Sequence, residues 1–354
     1  MVKGKQMIHY LNSAGTLLEK VEIADELLLR GYRDMLVTRL VDERMITLQR
    51  QGTITFALSS YGEECCAVAA AHALDPSDWL YPQYRESGVM FARDCSIEEF
   101  VHSMFCNAKD LGKGRQMPNH FGARDKNIVQ VSSPIATKIP HAAGCAYAMK
   151  LQKEPSIAMV FFGEGATSEG DFHTGVNFAA VRECPVIFFC RNNGYAISTP
   201  EREQYRSEGV APKGEAYGIP AYKVDGNDFF AVYTTVAKAR KECLENLTPI
   251  LIEAVTYRMG AHSTSDDPSV YRTREDEGKW LEKDPVKRLK RYLVRQGLWN
   301  DKEEKALREE IEREISRAIE TAKKTPLPPL ETLIEDVYAE VPKTLREQLR
   351  EVEE

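Results

Sequence analysis

Glu164 stands between two glycines in GEGATSEG, residues 163–170, directly after the apolar stretch SIAMVFFG at 156–163. A carboxylate at such a place offers hard oxygen ligands of the kind Mg2+ takes. Gly163 and Gly165 let a phosphate or ion come close to the backbone. The helix expected next would open with unpaired N–H groups and a positive dipole end, which suits a diphosphate. Asn193, in CRNNGYAIS, lies thirty residues after Gly163, behind a second apolar run. One β-α-β crossover would set Glu164 and Asn193 at neighbouring strand ends, where open α/β sheets bind ligands. A carboxylate, an amide oxygen and a backbone carbonyl there make an oxygen set for Mg2+, with diphosphate oxygens completing the octahedron. Each piece alone also has a plainer reading, since G-x-G is a weak signal and Asn193-Gly194 fits a simple turn. Their joint occurrence at two strand ends favours a site.

The elements that would position these residues follow from the spacing of apolar residues. Residues 24–51 carry Leu27, Leu28, Tyr32, Met35, Leu36, Leu40 and Ile46 near helical spacing. The small-residue stretch 61–74 reads as a second helix. Residues 156–163 and 185–190 are short apolar runs of the kind found in buried parallel strands. Helices are predicted over 167–181 and 231–247, and a further strand over 249–258. Strands separated by single helices imply right-handed β-α-β units and a parallel sheet flanked by helices, an α/β fold. Residues 261–278 are polar and without an apolar pattern, so they read as a long functional loop. Leu307, Ile311, Ile315 and Ile319 recur every four residues in an amphipathic helix. The three prolines of TPLPPL, residues 325–330, end it. This gives a helical extension at 1–60, the α/β domain at 61–280 and a second helical extension at 281–354.

Bulk properties narrow the function classes. A formal net charge of −7 argues against a general nucleic-acid binder and gives no support for an anionic membrane surface. The longest apolar runs, 157–162 and 186–190, are too short to span a bilayer. The first ten residues, MVKGKQMIHY, lack a signal-peptide core and the Arg- and Ser-rich character of a mitochondrial presequence, which reads as cytoplasmic. None of the eight cysteines forms a C-x-x-C pair. They read as buried free thiols in a reducing compartment.

The pairing of G-E-G with N-N resembles a thiamine-diphosphate motif. The resemblance extends through ECPVIFFCRNNGYAISTP, SSPIATKIPHAAG, KGRQMPNHFG and YRMGAHSTSDDPSVYR. Together these are similar to the alpha subunit of the decarboxylating component of branched-chain 2-oxoacid dehydrogenase complexes, over nearly the whole chain. The resemblance implies the thiamine-diphosphate-binding fold, with thiamine diphosphate and Mg2+ as cofactors. It assigns the metal to Glu164, Asn193 and the backbone carbonyl of Tyr195. It assigns the diphosphate to Tyr84, Arg85, Arg191 and His262. Ser133 and Ile135 would lie near the cofactor's centre, and Gly163, Gly165 and Ala166 along its path. Arginine forks are a natural complement to a diphosphate that one Mg2+ cannot neutralise. His262 would also be catalytic, assisting proton movement during acyl transfer.

The resemblance further implies what the chain lacks. The glutamate that activates the cofactor belongs to a beta subunit, so the active site would lie between subunits of an α2β2 heterotetramer. The reaction would be oxidative decarboxylation of a 2-oxoacid, with the acyl group passed to the lipoyl group of an acyltransferase. Helices around 65–71 and 142–148 are candidates for close subunit packing, with burial inside the chain an equal alternative. Ser263 matches a serine phosphorylated in mitochondrial relatives, and a phosphate there would add about −1.5 to −2 charges. An unphosphorylated loop, ordered by the cofactor, is expected. Relatives carry Gln where this chain has Lys138, in a loop that binds potassium through positions matching Ser132, Pro134 and Thr137. An ammonium has only donors, so Lys138 is read as replacing the ion by donating to those oxygens. Two alternatives stay open: a pyruvate or acetoin dehydrogenase alpha subunit, and a non-catalytic nucleotide-binding regulator on the same sheet.

Overall fold

The structure, a computed structural model, describes residues 6–353. Its centre is a five-stranded sheet, β1 (Trp79–Tyr81), β2 (Ala158–Gly163), β3 (Val186–Asn192), β6 (Ala221–Asp225) and β7 (Ile250–Val255), in the order β1-β2-β3-β7-β6. All neighbouring pairs are parallel. A short antiparallel hairpin, β4 (Tyr195–Ala196) with β5 (Thr199–Pro200), follows β3. The expected α/β class and parallel sheet are therefore present. β1 and β6 were not anticipated. β1 has three residues, and β6, AYKVD, mixes polar with apolar positions.

The continuous apolar runs of β2, β3 and β7 are explained by burial on both faces. Met159, Phe161, Ile187, Phe189, Ile250 and Ile252 enter one core cluster. Val160, Phe162, Val186, Phe188 and Leu251 enter the other. The side-chain period of two sends each strand into both layers, and each buried Phe contributes about 1.5–3 kcal/mol. The first layer is built by α1 (Asp25–Arg50), α2 (Glu64–His72), α3 (Gly88–Ala92), α4 (Ile97–Phe105) and α9 (Phe229–Asn246). The second is built mainly by α5 (Lys138–Gln152) and α6 (Gly170–Arg182). Two short helices, α7 (Glu201–Gln204) and α8 (Ala211–Ala216), lead into β6. Gly31 of α1 lies where a Cβ would come within 2.4 Å of the Phe229 ring, so α1 and α9 approach as only glycine allows.

The C-terminal region comprises α10 (Arg274–Leu281), α11 (Pro285–Arg295), α12 (Asp301–Lys324) and α13 (Lys343–Glu353). Leu307, Ile311, Ile315 and Ile319 of α12 join the same core as α1 and α2, and the helix stops just before the prolines. At the other end of the chain, the N–H of Ile8 donates to the Lys223 carbonyl at 2.8 Å, beside β6. The N–H groups of Tyr10 and Leu11 both donate to Oδ2 of Asp228 at 2.6 Å.

The structure decides one open alternative and corrects one expectation. Residues 65–71 of α2 are all buried within the chain, so this helix is not a face for another subunit. α5 is divided: Ala142, Ala143 and Ala146 are buried against α6, whereas Gly144 and Leu151 face outward with Phe178 and Val181 of α6. The stretch 261–278 is not loop throughout. Its last residues enter α10, capped where the Thr273 hydroxyl accepts from the Asp276 N–H. The eight cysteines are free, with Cys106 and Cys145 only partly buried. Among the described residues no helix is long and apolar enough to cross a membrane.

Candidate functional site

Register brings the first candidate residues together. Gly163 pairs with Arg191 at the carboxyl ends of β2 and β3, so Glu164 and Asn193 emerge side by side. The Asn193 N–H donates to Oε2 of Glu164 at 3.3 Å. Glu164 is 1% exposed and its Oε1 has no hydrogen-bond partner. Burial pushes its carboxyl up to about 7, against the pull of backbone N–H donors, and nearby Glu63 adds to the rise. A buried carboxylate oxygen without a donor is costly. It is the kind of atom that a cation would satisfy.

These residues line a cavity of 370 Å³ at the carboxyl edge of the sheet. Tyr84, Arg85, Ser133, Ile135, Gly163, Glu164, Gly165, Ala166, Arg191, Asn193, Tyr195 and His262 all line it. The two glycines have different reasons. Nothing crowds the place of a Cβ on Gly163, whose closest neighbour is the Arg191 carbonyl oxygen at 4.0 Å. On Gly165 a Cβ would meet that of Ala196 at 2.7 Å, so this glycine admits the β4–β5 hairpin. The expected helix start is also displaced. Residues Glu164–Ser168 form a 3-10 turn, and α6 begins at Gly170, outside the cavity lining.

The arginines are deeply buried. Arg191 donates through Nη1 to Oε1 of Glu63 at 2.9 Å and through Nε to Glu86. Arg85 donates through Nη1 to the Ser59 carbonyl at 2.5 Å and through Nη2 to the His262 carbonyl at 2.9 Å. Burial lowers its pKa, with Glu63 opposing the fall. Arg258, not singled out from the sequence, lines the same cavity. Its Nη2 donates to the Ile197 carbonyl at 2.9 Å and to the Tyr271 hydroxyl at 3.0 Å, while its buried Nε has no partner. Three arginines therefore stand against Glu63, Glu86 and Glu164.

His262 sits beneath two of those cations. Its Nδ1 lies 3.5 Å from Arg85 Nη2 and 3.3 Å from Arg258 Nη1. With donors on that side, Nδ1 is the acceptor and Nε2 carries the hydrogen. Burial first, then Arg85 and Arg258, depress its pKa to about 4, so the ring is neutral near pH 7. The backbone N–H of His262 donates to Oδ2 of Asp266 at 2.7 Å, and the Tyr84 ring meets the imidazole edge-on at 6.3 Å. Arg272 holds the approach to this loop by donating to the carbonyls of Arg258 and Gly260. Trp280 of α10 stacks on Tyr257 at 5.5 Å.

Other participants were missed. Gln83 accepts the Gly163 N–H at 3.2 Å, fixing the strand end. His120 Nε2 lies 2.5 Å from the Ser133 hydroxyl, and its Nδ1 donates to the Pro118 carbonyl at 3.1 Å. Phe56, Leu58, Met117 and Ile197 supply the apolar part of the lining. Arg258 had a signal, since it lies three residues beyond β7 at the same sheet edge. Glu63 had none, and His120 none beyond its presence in KGRQMPNHFG. The expected donations from Lys138 are not made. Lys138 is half-buried, opens α5, and has no hydrogen bond or ion pair among the described residues. Ser132 Oγ is likewise left without a partner.

The sequence that builds this site is similar to that of known proteins. A family model described as Dehydrogenase E1 component matches residues 32–331. The chain is 46% identical over 352 residues to the human 2-oxoisovalerate dehydrogenase subunit alpha, mitochondrial, covering 98% of this chain and 79% of that one. The Caenorhabditis elegans protein of the same name is 46% identical over 347 residues, 97% of this chain and 80% of its own. Arabidopsis thaliana subunit alpha 1 is 46% identical over 329 residues, 93% and 70% respectively. A match of that extent, spanning every strand that shapes the cavity, makes the chain a member of the dehydrogenase E1 component family, alongside the alpha subunits of 2-oxoisovalerate dehydrogenase.

Proposed function

We propose that the chain is the alpha subunit of the decarboxylating component of a branched-chain 2-oxoacid dehydrogenase, of the 3-methyl-2-oxobutanoate dehydrogenase type. The observation that carries the reading is the single cavity in which three buried arginines and the partnerless Glu164 converge at the carboxyl ends of β2 and β3. Those residues fit thiamine diphosphate with Mg2+. Glu164, the amide oxygen of Asn193 and the Tyr195 carbonyl would hold the metal, and Arg85, Arg191 and Arg258 the diphosphate. Among the described residues no cluster of three or more His, Cys, Asp or Glu is placed for a metal. The proposed set needs none, because the diphosphate supplies the remaining oxygens. When bound, thiamine diphosphate supplies the carbon nucleophile and electron sink for decarboxylation.

The chain's own residues bind, orient and exclude water. Gln83 fixes the Gly163 N–H, Tyr84 abuts the His262 ring, and the hairpin at Ala196 closes over Gly165. His262 Nε2–H is the donor available for proton movement during acyl transfer to a lipoyl group. Phe56, Leu58, Met117, Ile135 and Ile197 suit the aliphatic side chain of a branched 2-oxoacid. Such pockets discriminate by about 1–3 kcal/mol per methylene.

A beta subunit that supplies the activating glutamate, in an α2β2 heterotetramer, and a lipoyl-bearing acyltransferase complete the proposal. The open α5–α6 face with Leu151, Phe178 and Val181 supports such an assembly. The relatives are mitochondrial by name. Cytoplasmic residence of this chain is part of the proposal.

The test is reconstitution. The chain alone should not turn over 2-oxoacids. With its beta subunit it should decarboxylate 3-methyl-2-oxobutanoate in preference to pyruvate. Turnover by the chain without beta subunit would refute the shared site. A preference for pyruvate or acetoin would move the chain to those enzymes.

A further inference from the structure

Glu63 precedes α2 and is 1% exposed. Its Oε1 receives two donors at once, Arg191 Nη1 at 2.9 Å and Asn193 Nδ2 at 3.2 Å. Its Oε2 has no hydrogen-bond partner and lies 3.6 Å from Arg85 Nε. Burial alone would raise this carboxyl. Arg191 and Arg85 outweigh burial and hold it below the usual range. Glu63 is therefore a charged strut that touches three side chains of the reading above, two of the diphosphate arginines and the metal-binding amide.

The contact with Asn193 has a directional consequence. An amide has a donor end and an acceptor end, and Glu63 as a carboxylate can only accept. It therefore captures the nitrogen of Asn193, and Oδ1 is turned away, where it accepts the Tyr195 N–H at 3.2 Å and keeps a second lone pair. A flipped amide would place its nitrogen where the metal-binding reading needs an oxygen. The contact with the arginines acts in the opposite sense. Glu63 offsets the charge of Arg191 and Arg85, which holds the buried cluster together without ligand and lowers its attraction for an anion.

We infer that Glu63 is a positioning residue that sets the amide orientation of Asn193 for the metal while restraining the pull of Arg85 and Arg191 on the diphosphate. The inference rests on the proposed thiamine-diphosphate and Mg2+ reading. It differs from a purely structural role because the two effects have opposite signs.

The experiment uses the full chain with its beta subunit, in parent, E63Q and E63D forms. Calorimetry would follow thiamine diphosphate against Mg2+ concentration and inorganic pyrophosphate without metal, with thermal unfolding as a control. Glutamine can present an amino group to Asn193 and carries no charge. E63Q should therefore raise the Mg2+ concentration for half-saturation about tenfold or more, within the range for outer-shell metal partners, and bind metal-free pyrophosphate severalfold more tightly. E63D keeps the charge but shortens the reach. It should raise the Mg2+ concentration for half-saturation without tightening pyrophosphate, and it carries the test should E63Q not fold. The swap E63Q/N193D restores one carboxylate and one amide, and should recover part of the Mg2+ response. Variants that match the parent in both measurements, or lose both together, overturn the inference. A parent that binds neither probe removes the thiamine reading and this inference with it.

Discussion

The backbone N–H of Asn193, just past the end of β3, donates to the carboxylate of Glu164, just past the end of β2, across 3.3 Å. That contact leaves the other carboxylate oxygen buried and unpartnered. Its chemistry sets the first expectation.

Glu164→Ala removes a buried carboxyl that burial already pushes up to about 7. Binding of thiamine diphosphate with Mg2+ should weaken by about 100-fold or more, since a ligand matters at least as much as an outer-shell partner. The cofactor-free variant should unfold at the parent's temperature or above it, because an unmet desolvation cost of about 1–3 kcal/mol goes with the side chain. Calorimetric binding and thermal unfolding decide both parts. Unchanged cofactor affinity would remove Glu164 from the site.

Arg258→Ala should weaken pyrophosphate binding by roughly tenfold to a hundredfold, as removal of a buried charge partner does. It should also raise the pKa of His262 from about 4 toward the ordinary 6.5, because one of the two depressing guanidiniums is gone. NMR titration of isotopically labelled histidine reads this directly. A His262 titration that stays near 4 would show that burial and Arg85 set it without Arg258.

His262 also has a pH signature in stability. Its folded pKa of about 4 lies below the ordinary 6.5. Between those values the unfolded chain holds a proton that the folded chain does not, so this group's contribution falls as pH drops from 6.5 toward 4. His262→Asn should lose this part of the acid sensitivity, and its melting temperature should fall less than the parent's across that window, by a few degrees at most given the partial exposure of the ring. Matching melting curves across the window would show that the protonation is not linked to folding.

Lys138→Gln tests whether the lysine's charge alone stands in for potassium, since it donates no hydrogen bond and Ser132 Oγ has no partner. The parent holoenzyme should work equally in sodium or potassium at matched ionic strength. The variant should gain severalfold in cofactor affinity when potassium replaces sodium. A parent that requires potassium would show that Lys138 does not stand in for the ion.

Much of the site was legible because its residues lie at ends of strands whose apolar runs are unmistakable. Glu164 and Asn193 follow β2 and β3 directly, so period and spacing place them, whereas Arg191, inside β3, came only from the resemblance. β6 stayed hidden because Tyr222 and Lys223 are only half-buried, which breaks the apolar run. β1 is too short for any period. Glu63 and His120 act through contacts across the fold, with Arg191 and Ser133 respectively, and no local pattern encodes such pairings. Gly165 has a second reason that the sequence does not show. The sequence marks the glycine, but the neighbour that needs it, Ala196, is set by the hairpin.

The N-terminal arm clasped at Asp228 constrains how the chain is made. Leu11 waits for an acceptor 217 positions later. At about 5–20 residues per second, synthesis takes roughly 10–40 s to supply it. Throughout that interval Ile8 and Leu11 have no place to dock, and until the arm arrives β6 offers an open edge to any passing strand. High contact order of this kind slows folding and exposes nascent chains to aggregation. Residues made 217 positions ahead of their partner are thus among the last to find their seats.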